Sequence, residues 1–298
     1  MAHTAFGVSQ DSAQPHARQF PWTAIAWFGL LLVLCYLPVL IPLVNQWSND
    51  EDMGHGFFVP VLAGYIAWRE RDALLAAPVS RNWFGFALLA WAALQLTIAT
   101  LGAELFLART AFVLSIVGAV WFLAGTRVLR VAAFPLFLLF FMVPLPSIVY
   151  NQITFPLQLL ASSVAETVLG SVGIPVLREG NVLELASQKL SVVEACSGIR
   201  SLLSLSFLAL IYSYFSDRKP WMKWVLLVAT VPIAIIANAT RVTLTGLFSE
   251  YNPDLAHGFF HTAQGWVIFM AALILLVAFH TLVNGMYKLA RRGHAETV

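Results

Sequence analysis

Long apolar runs separated by short polar connections make up this chain from Pro21 onward. The first, about Pro21–Val44, carries no charged residue. Runs of similar length follow at about Trp83–Leu101, Leu105–Leu123, Trp221–Phe248 and His261–Tyr287. Each is near the roughly 20 residues that cross a bilayer core of about 30 Å. Shorter runs at about Gly56–Trp68 and Val128–Val143, and one from Cys196 to Phe215, complete the pattern. It predicts an all-α polytopic membrane protein with about eight transmembrane helices.

The stretch 144–194 breaks that pattern. Its first part, "SIVYNQITFPLQLLASSVAETVLGSVG", mixes polar with apolar positions and reads as an interfacial or re-entrant helix. Its second, "IPVLREGNVLELASQKLSVVEA", has two β-branched runs around "REGN" and "ASQK" turns and reads as a small hairpin. Open strand edges do not survive in hydrocarbon, so the segment is expected as a cap on the membrane surface.

Composition agrees with a membrane solvent. Hydrophobic residues make up 59% of the 298 and charged residues 11%, with mean hydropathy +0.79, where soluble domains carry about 25% charge. A net charge of +2 with no Lys/Arg run gives no footprint for nucleic acid. The charges that remain alternate between connections. Arg69, Arg71 and Arg81 share one, Arg127 and Arg130 another, and Arg218, Lys219 and Lys223 a third. Asp50, Glu51, Asp52, Glu104, Glu250 and Asp254 fall in the connections between them. The positive-inside rule then puts the polar tail 1–20 and the basic tail 288–298 in the cytoplasm, and the 144–194 cap outside. The N-terminal tail lacks the short apolar core of a secretory signal. Two cysteines, Cys35 at mid-span and Cys196 at a helix start, differ too much in depth to bridge. Cys35 reads as a small buried residue.

With this orientation, separate helices bring chemistry to one side of the membrane. Cys196 opens a span in "VEACSGIR", Arg241 lies in "IANATRVTLTG", and His257 and His261 open the last span in "LAHGFFHTAQGW". Helix starts and nearby cations favour the reactive thiolate over the thiol. Arg200 is one turn beyond Cys196, Glu194 precedes it, and Ser197 and Gly198 offer first-turn N–H groups for a developing oxyanion. Arg241 is expected about eight residues, or roughly 12 Å, inside the end of its span, which is costly unless it faces a polar interior. Asn238 and Thr245 share its helix face. His257 and His261 could hold a metal with Cys196 and Asp254, but no acidic residue lies between them and an arginine beside a dication is unfavourable. No metal or other cofactor is expected. Of the two histidines His261 is preferred, because Gly265 one turn later leaves room beside its ring. His55, between Gly54 and Gly56, either lines an entrance or caps the second helix.

These blocks resemble exosortases, the bacterial branch of the exosortase/archaeosortase family. The resemblance rests on "MGHGFFVPVLAGYIAW", "VLREGNVLEL", "VVEACSGIRSLLSLS", "NATRVTLTG" and "FFHTAQGWVIF", in that order. It implies a single transmembrane exosortase domain over 21–287 in a bacterial inner membrane. It also implies a transpeptidase in which Cys196 is the nucleophile, Arg241 stabilises thiolate and oxyanion, and His261 is the acid and base. The implied partners are exported proteins with a C-terminal sorting signal: a Pro-Glu-Pro-like motif, a transmembrane helix and a basic tail. An exopolysaccharide or other cell-envelope component is the implied acceptor. Two other readings remain open: a polysaccharide-export channel or transporter component, and an intramembrane protease that only hydrolyses.

Overall fold

The computed structural model describes residues 22–186, 188–192, 198–251 and 258–295. The chain forms two compact units: one holds the sequence up to Leu43 with Pro60–Phe140, the other Val44–Val59 with Phe141–Val298.

In the first unit, α1 (Trp22–Asn49) contributes its part up to Leu43 and α2 (Phe58–Arg69) its part from Pro60; α3 (Arg71–Ala76), α4 (Trp83–Leu101), α5 (Leu105–Ala124) and α6 (Thr126–Leu138) follow. Its centre is the antiparallel pair α4 and α5, which touch backbone to backbone. A Cβ on Gly85 would lie 2.2 Å from the Phe122 nitrogen, and one on Gly118 would lie 3.1 Å from the Gly85 carbonyl oxygen. Buried Ala92, Ala99, Ala108, Ala111 and Ala119 carry the same small surface along both helices. Lipid tails are as apolar as leucine, so close packing of small residues is what holds such helices together. A polar contact fixes the pair further, as Gln95 donates to the Thr110 hydroxyl at 2.7 Å, and the Tyr36 and Ser115 hydroxyls, 2.8 Å apart, tie α1 to α5. Cys35 is exposed on α1, not buried as its sequence context suggested. Its neighbour Tyr36 takes the inward face.

The second unit contains the end of α1, the 3-10 turn Glu51–Phe57, the part of the turn Leu139–Met142 from Phe141 on, and α7 (Ser147–Ser171). The strands β1 (Val176–Glu179), β2 (Val182–Leu185) and β3 (Lys189–Ser191) follow, then α8 (Gly198–Ser216), α9 (Pro220–Tyr251) and α10 (Gly258–Ala295). The strands pair antiparallel in sequence order, with Glu179 opposite Val182 across Gly180-Asn181 and Leu183 opposite Leu190. Gly180 has φ +64°, the left-handed geometry a two-residue hairpin turn requires. The expected hairpin is thus present, extended by a third strand.

Among the described residues six helices, not eight, are long and apolar enough to cross a membrane: α1, α4, α5, α7, α9 and α10. The protein is a multi-pass membrane protein. Two expected spans are short, since α2 and α6 have 12 and 13 residues, about 18–20 Å at 1.5 Å each. The apolar part of α8, Leu202–Ser216, is shorter than the others. Conversely α7, expected to be interfacial or re-entrant, is a 25-residue helix of spanning length. Its polar residues misled because they face protein. Thr154, Gln158 and Ser162 are buried, Gln158 accepts from the Asn181 amide at 3.1 Å, and Ser162 donates to the Gly180 carbonyl at 3.0 Å. Glu166 pairs with Arg178 at 2.7 Å. The polar stripe of α7 is the platform for the sheet.

Backbone contact makes the α4–α5 pair sensitive to a single methyl group. Gly85→Ala should lower the stability of the detergent-solubilised protein by about 1–3 kcal/mol. Gly64→Ala, where a Cβ meets nothing within 4 Å, should leave it unchanged. Thermal unfolding of the two variants compares them directly.

Candidate functional site

Helices α8, α9 and α10 form a three-helix bundle with an apolar middle and polar ends. Leu205 and Ala209 of α8, Leu226 and Ile233 of α9, and Ala272 and Leu276 of α10 fill the middle. Arg241 stands at one end, on α9. A Cβ added to Gly265 of α10 would lie 3.2 Å from its Nη2 and 3.3 Å from its Cζ. The guanidinium therefore occupies the space that a side chain at 265 would take. The neighbouring Gln264 binds the same helix: its amide donates to the Arg241 carbonyl at 3.1 Å and its Oε1 accepts from the Thr245 hydroxyl at 3.2 Å. Asn238, buried one turn below, and Leu205 of α8 line the same small cleft as Arg241 and Gly265.

The depth of Arg241 is also clearer. Helix α9 has 32 residues, about 48 Å, and Arg241 lies 21 positions after Pro220, about 32 Å along. Ala239 and Val242 pack with Leu183, Leu185 and Leu190 of the sheet, and Gly246 abuts Leu169 and Leu185. Arg241 is thus level with the sheet, and it lies nine residues before the end of the candidate span Pro220–Glu250, about 14 Å, close to the expected depth.

His55 sits in the Glu51–Phe57 turn, half-buried. Its Nε2 is 3.1 Å from the Phe141 carbonyl oxygen and its Nδ1 is 3.4 Å from the Ser204 hydroxyl, with its ring beside Phe207. It is tied to α8 rather than acting as a simple cap for α2. Ser204, which meets His55, and Leu205, which lines the Arg241 cleft, are consecutive on α8, so both polar groups converge on one turn of that helix.

Other expected site residues are placed only in part. Cys196, Glu194, Ser197 and His257 lie outside the described residues. Gly198 and Arg200 fall in the first turn of α8 and His261 in the first turn of α10, with the Arg200 and His261 side chains outside the description. The backbone still carries information. His261 is one turn before Gly265 on the same face of α10, and α8 begins two residues after Cys196. The room at Gly265, expected beside the His261 ring, is taken by the Arg241 guanidinium.

Sequence reasoning missed the other end of the bundle. There Tyr212 of α8, Asp217 and Lys219 of the α8–α9 connection, and His280 and Asn284 of α10 form a partly buried array around the buried His280. The Tyr212 hydroxyl is 2.9 Å from His280 Nδ1, and His280 Nε2 is 3.2 Å from Asp217 Oδ2. Asn284 donates to Asp217 Oδ2 at 3.0 Å, and its Oδ1 accepts from the Lys219 ammonium. Burial pushes the Asp217 carboxyl up. Hydrogen bonds from the Lys219 backbone, Asn284, His280 and the Lys219 ammonium outweigh that and hold it well below the usual carboxylate range. A lone histidine in the apolar run "LLVAFHTLV" was the available signal.

A bundle of membrane helices that gathers an arginine, an asparagine and a glutamine beside a small sheet defines a polytopic protein with a polar site at one end of an apolar bundle. The family profile for transmembrane exosortases matches residues 47–278, and the chain belongs to that family. No curated protein and no solved structure matches it. Membership implies a transpeptidase that processes sorting signals.

The Gly265 contact sets a direct test. Gly265→Leu should push the Arg241 guanidinium aside and cut sorting-signal processing by up to about 100-fold, the scale for displacing a group by an ångström. Gly285→Leu on the same helix, where a Cβ meets nothing within 4 Å, should process normally.

Proposed function

We propose that this chain cleaves a C-terminal sorting signal through a thioester on Cys196 and transfers the exported protein to an acceptor. The observation that carries this reading is the Arg241 guanidinium packed against Gly265, one turn from His261, in a cleft that α8 closes with Leu205. Cys196 lies two residues before α8 in the sequence, which supports bringing a nucleophile to the end of the bundle where Arg241 of α9 and the first turn of α10 meet.

The Cys196 thiolate attacks a backbone carbonyl carbon of the sorting signal, and the carbonyl electrons move onto oxygen. Arg241 stabilises first the thiolate and then the tetrahedral oxyanion, assisted by the N–H groups of Ser197 and Gly198. As the C–N bond breaks, His261 protonates the departing amine, leaving a thioester. His261 then takes a proton from the acceptor, which displaces the Cys196 sulfur. Glu194, Arg200, Asn238 and His55 support the cleft. The basic connections and both termini face the cytoplasm, and the site faces outward in a bacterial inner membrane. The substrate's transmembrane helix and basic tail then leave the motif at the site. The acceptor is an exopolysaccharide or another cell-envelope component.

The transporter reading needs a polar path through the bundle. Polar groups do occur at its far end, where the sequence suggested few, yet Leu205, Ala209, Leu226, Ile233, Ala272 and Leu276 separate the two ends. That apolar layer favours an enzyme.

Cys196→Ala should insert normally and leave the sorting signal uncut, and Arg241→Ala should slow processing by about 10²–10³-fold. Normal processing by Cys196→Ala overturns the mechanism. Mass spectrometry of the product's new C-terminus separates transfer, which leaves an attached acceptor, from hydrolysis, which leaves a free carboxylate. In a Cys35→Ser background, required because Cys35 is exposed, a membrane-impermeant maleimide should label Cys196 from outside. Its rate should exceed that of a model thiol at neutral pH, and Arg241→Ala should lower it.

A further inference from the structure

The array of Tyr212, Asp217, Lys219, His280 and Asn284 lies at the opposite end of the bundle from Arg241, and the reaction proposed above does not use it. We propose that Asp217, His280 and Asn284 are positioning residues: they set the register of α10 on α8 and α9, and so place Gly265 against Arg241. The effect on catalysis rests on the proposed function; the effect on register does not.

Register matters because Gly265 has bulky neighbours, Gln264 and Trp266. A slip of α10 by one residue moves it about 1.5 Å and turns it about 100°. Either slip would bring a glutamine or a tryptophan toward the guanidinium, where a Cβ alone already comes within 3.2 Å. The site therefore tolerates one rotational setting of α10.

The apolar middle does not supply that setting. Its buried α10 residues, Ala272 and Leu276, meet leucine, alanine, isoleucine and methionine of α8 and α9, with Ile268, Phe269 and Phe279 of α10 packed around them. In a bilayer such contacts compete with equally apolar lipid, and alkyl surfaces have little directional preference. Hydrogen bonds are directional, and a buried polar group that fixes helix register is the best-attested use of such groups. Gly265, Ala272, Leu276, His280 and Asn284 lie on one face of α10 at intervals of four and seven residues. A setting imposed at His280 is carried about 22 Å along the helix to Gly265.

The geometry suits an anchor. His280 is 5% exposed, its Nδ1 meets Tyr212 of α8, and its Nε2 meets Asp217 at the start of the connection to α9. Asn284, one turn on, reaches the same carboxylate oxygen. The other Asp217 oxygen accepts from the Lys219 backbone at 2.8 Å, which ties the carboxylate to its own turn. The Lys219 ammonium, held by Asn284, also lies 4.7 Å from the Tyr287 ring centroid. Contacts from the connection and from two turns of α10 converge on one carboxylate, and Tyr212 of α8 joins them through His280. At the Arg241 end Gln264 supplies two hydrogen bonds between α9 and α10.

The test reads register directly. In a Cys35→Ser/Cys196→Ser background, the pair Thr245→Cys/Gln264→Cys should form a cross-link across α9 and α10 in membranes with a short bifunctional methanethiosulfonate. Adding His280→Leu or Asp217→Asn should slow its formation about fivefold or more, the factor for about 1 kcal/mol. His280→Gln, which can still hydrogen-bond to both neighbours, should recover most of the rate. The pair Ser206→Cys/Thr230→Cys reports on α8 and α9 alone, whose hydroxyls are 3.0 Å apart, and should be unaffected. With Cys196 intact, the same substitutions should reduce processing in parallel with cross-linking of the 245–264 pair. An unchanged 245–264 rate in His280→Leu overturns the proposal. So does an equal fall of both pairs in His280→Leu and Asp217→Asn, which marks a general loss of packing. A chain that forms the 245–264 pair but never processes a sorting signal overturns the proposed reaction and leaves the register claim standing.

Discussion

A guanidinium packed against a helix that offers no side chain at the point of contact organises this end of the molecule. Arg241 lies this close to α10 because residue 265 is glycine, where even a Cβ would come within 3.2 Å of its Nη2. The close approach brings Gln264 within reach of the Arg241 carbonyl and of Thr245. The cleft around this cation is built from α8, α9 and α10 together.

The same logic of small residues recurs where no chemistry is involved. Gly85 and Gly118 let α4 and α5 meet at backbone distance, and a row of alanines continues the contact. Polar pairs add direction to other seams: Tyr36 with Ser115 in one unit, Ser206 with Thr230 in the other. The sheet follows a different rule. It is small and exposes strand edges, so it depends on the platform that α7 provides through Gln158, Ser162 and Glu166 and on the apolar contact with Ala239 and Val242 of α9. In this way the sheet marks the level at which Arg241 sits.

Hydropathy alone was sufficient for the long helices. α4 begins and ends where its apolar run does, and α5, α9 and α10 differ from expectation mainly in extending further. It failed where polar residues serve protein rather than water. The stripe on α7 resembled an interfacial helix, although Thr154, Gln158 and Ser162 are buried. It also failed for Gly56–Trp68 and Val128–Val143, whose apolar character is real but whose helices are too short to cross. At the site, Arg241, Asn238 and Thr245 were legible as one helix face. Gln264 was not, because its value comes from a neighbouring helix. Nor was the His280 array, whose members are up to 72 residues apart in sequence, from Tyr212 to Asn284.

The sequence by itself determined the solvent, the helical class, the sheet-forming segment and the family, because each depends on local composition, periodicity or ordered motifs. Tertiary structure decided which polar residues meet. It placed Arg241 in the gap at Gly265, assigned His55 to α8 through Ser204, and closed Tyr212, His280 and Asp217 into one array. Those outcomes depend on the rotation and register of one helix against another. A hydrophobic pattern fixes which face of a helix turns inward, but not which residue on the next helix it meets.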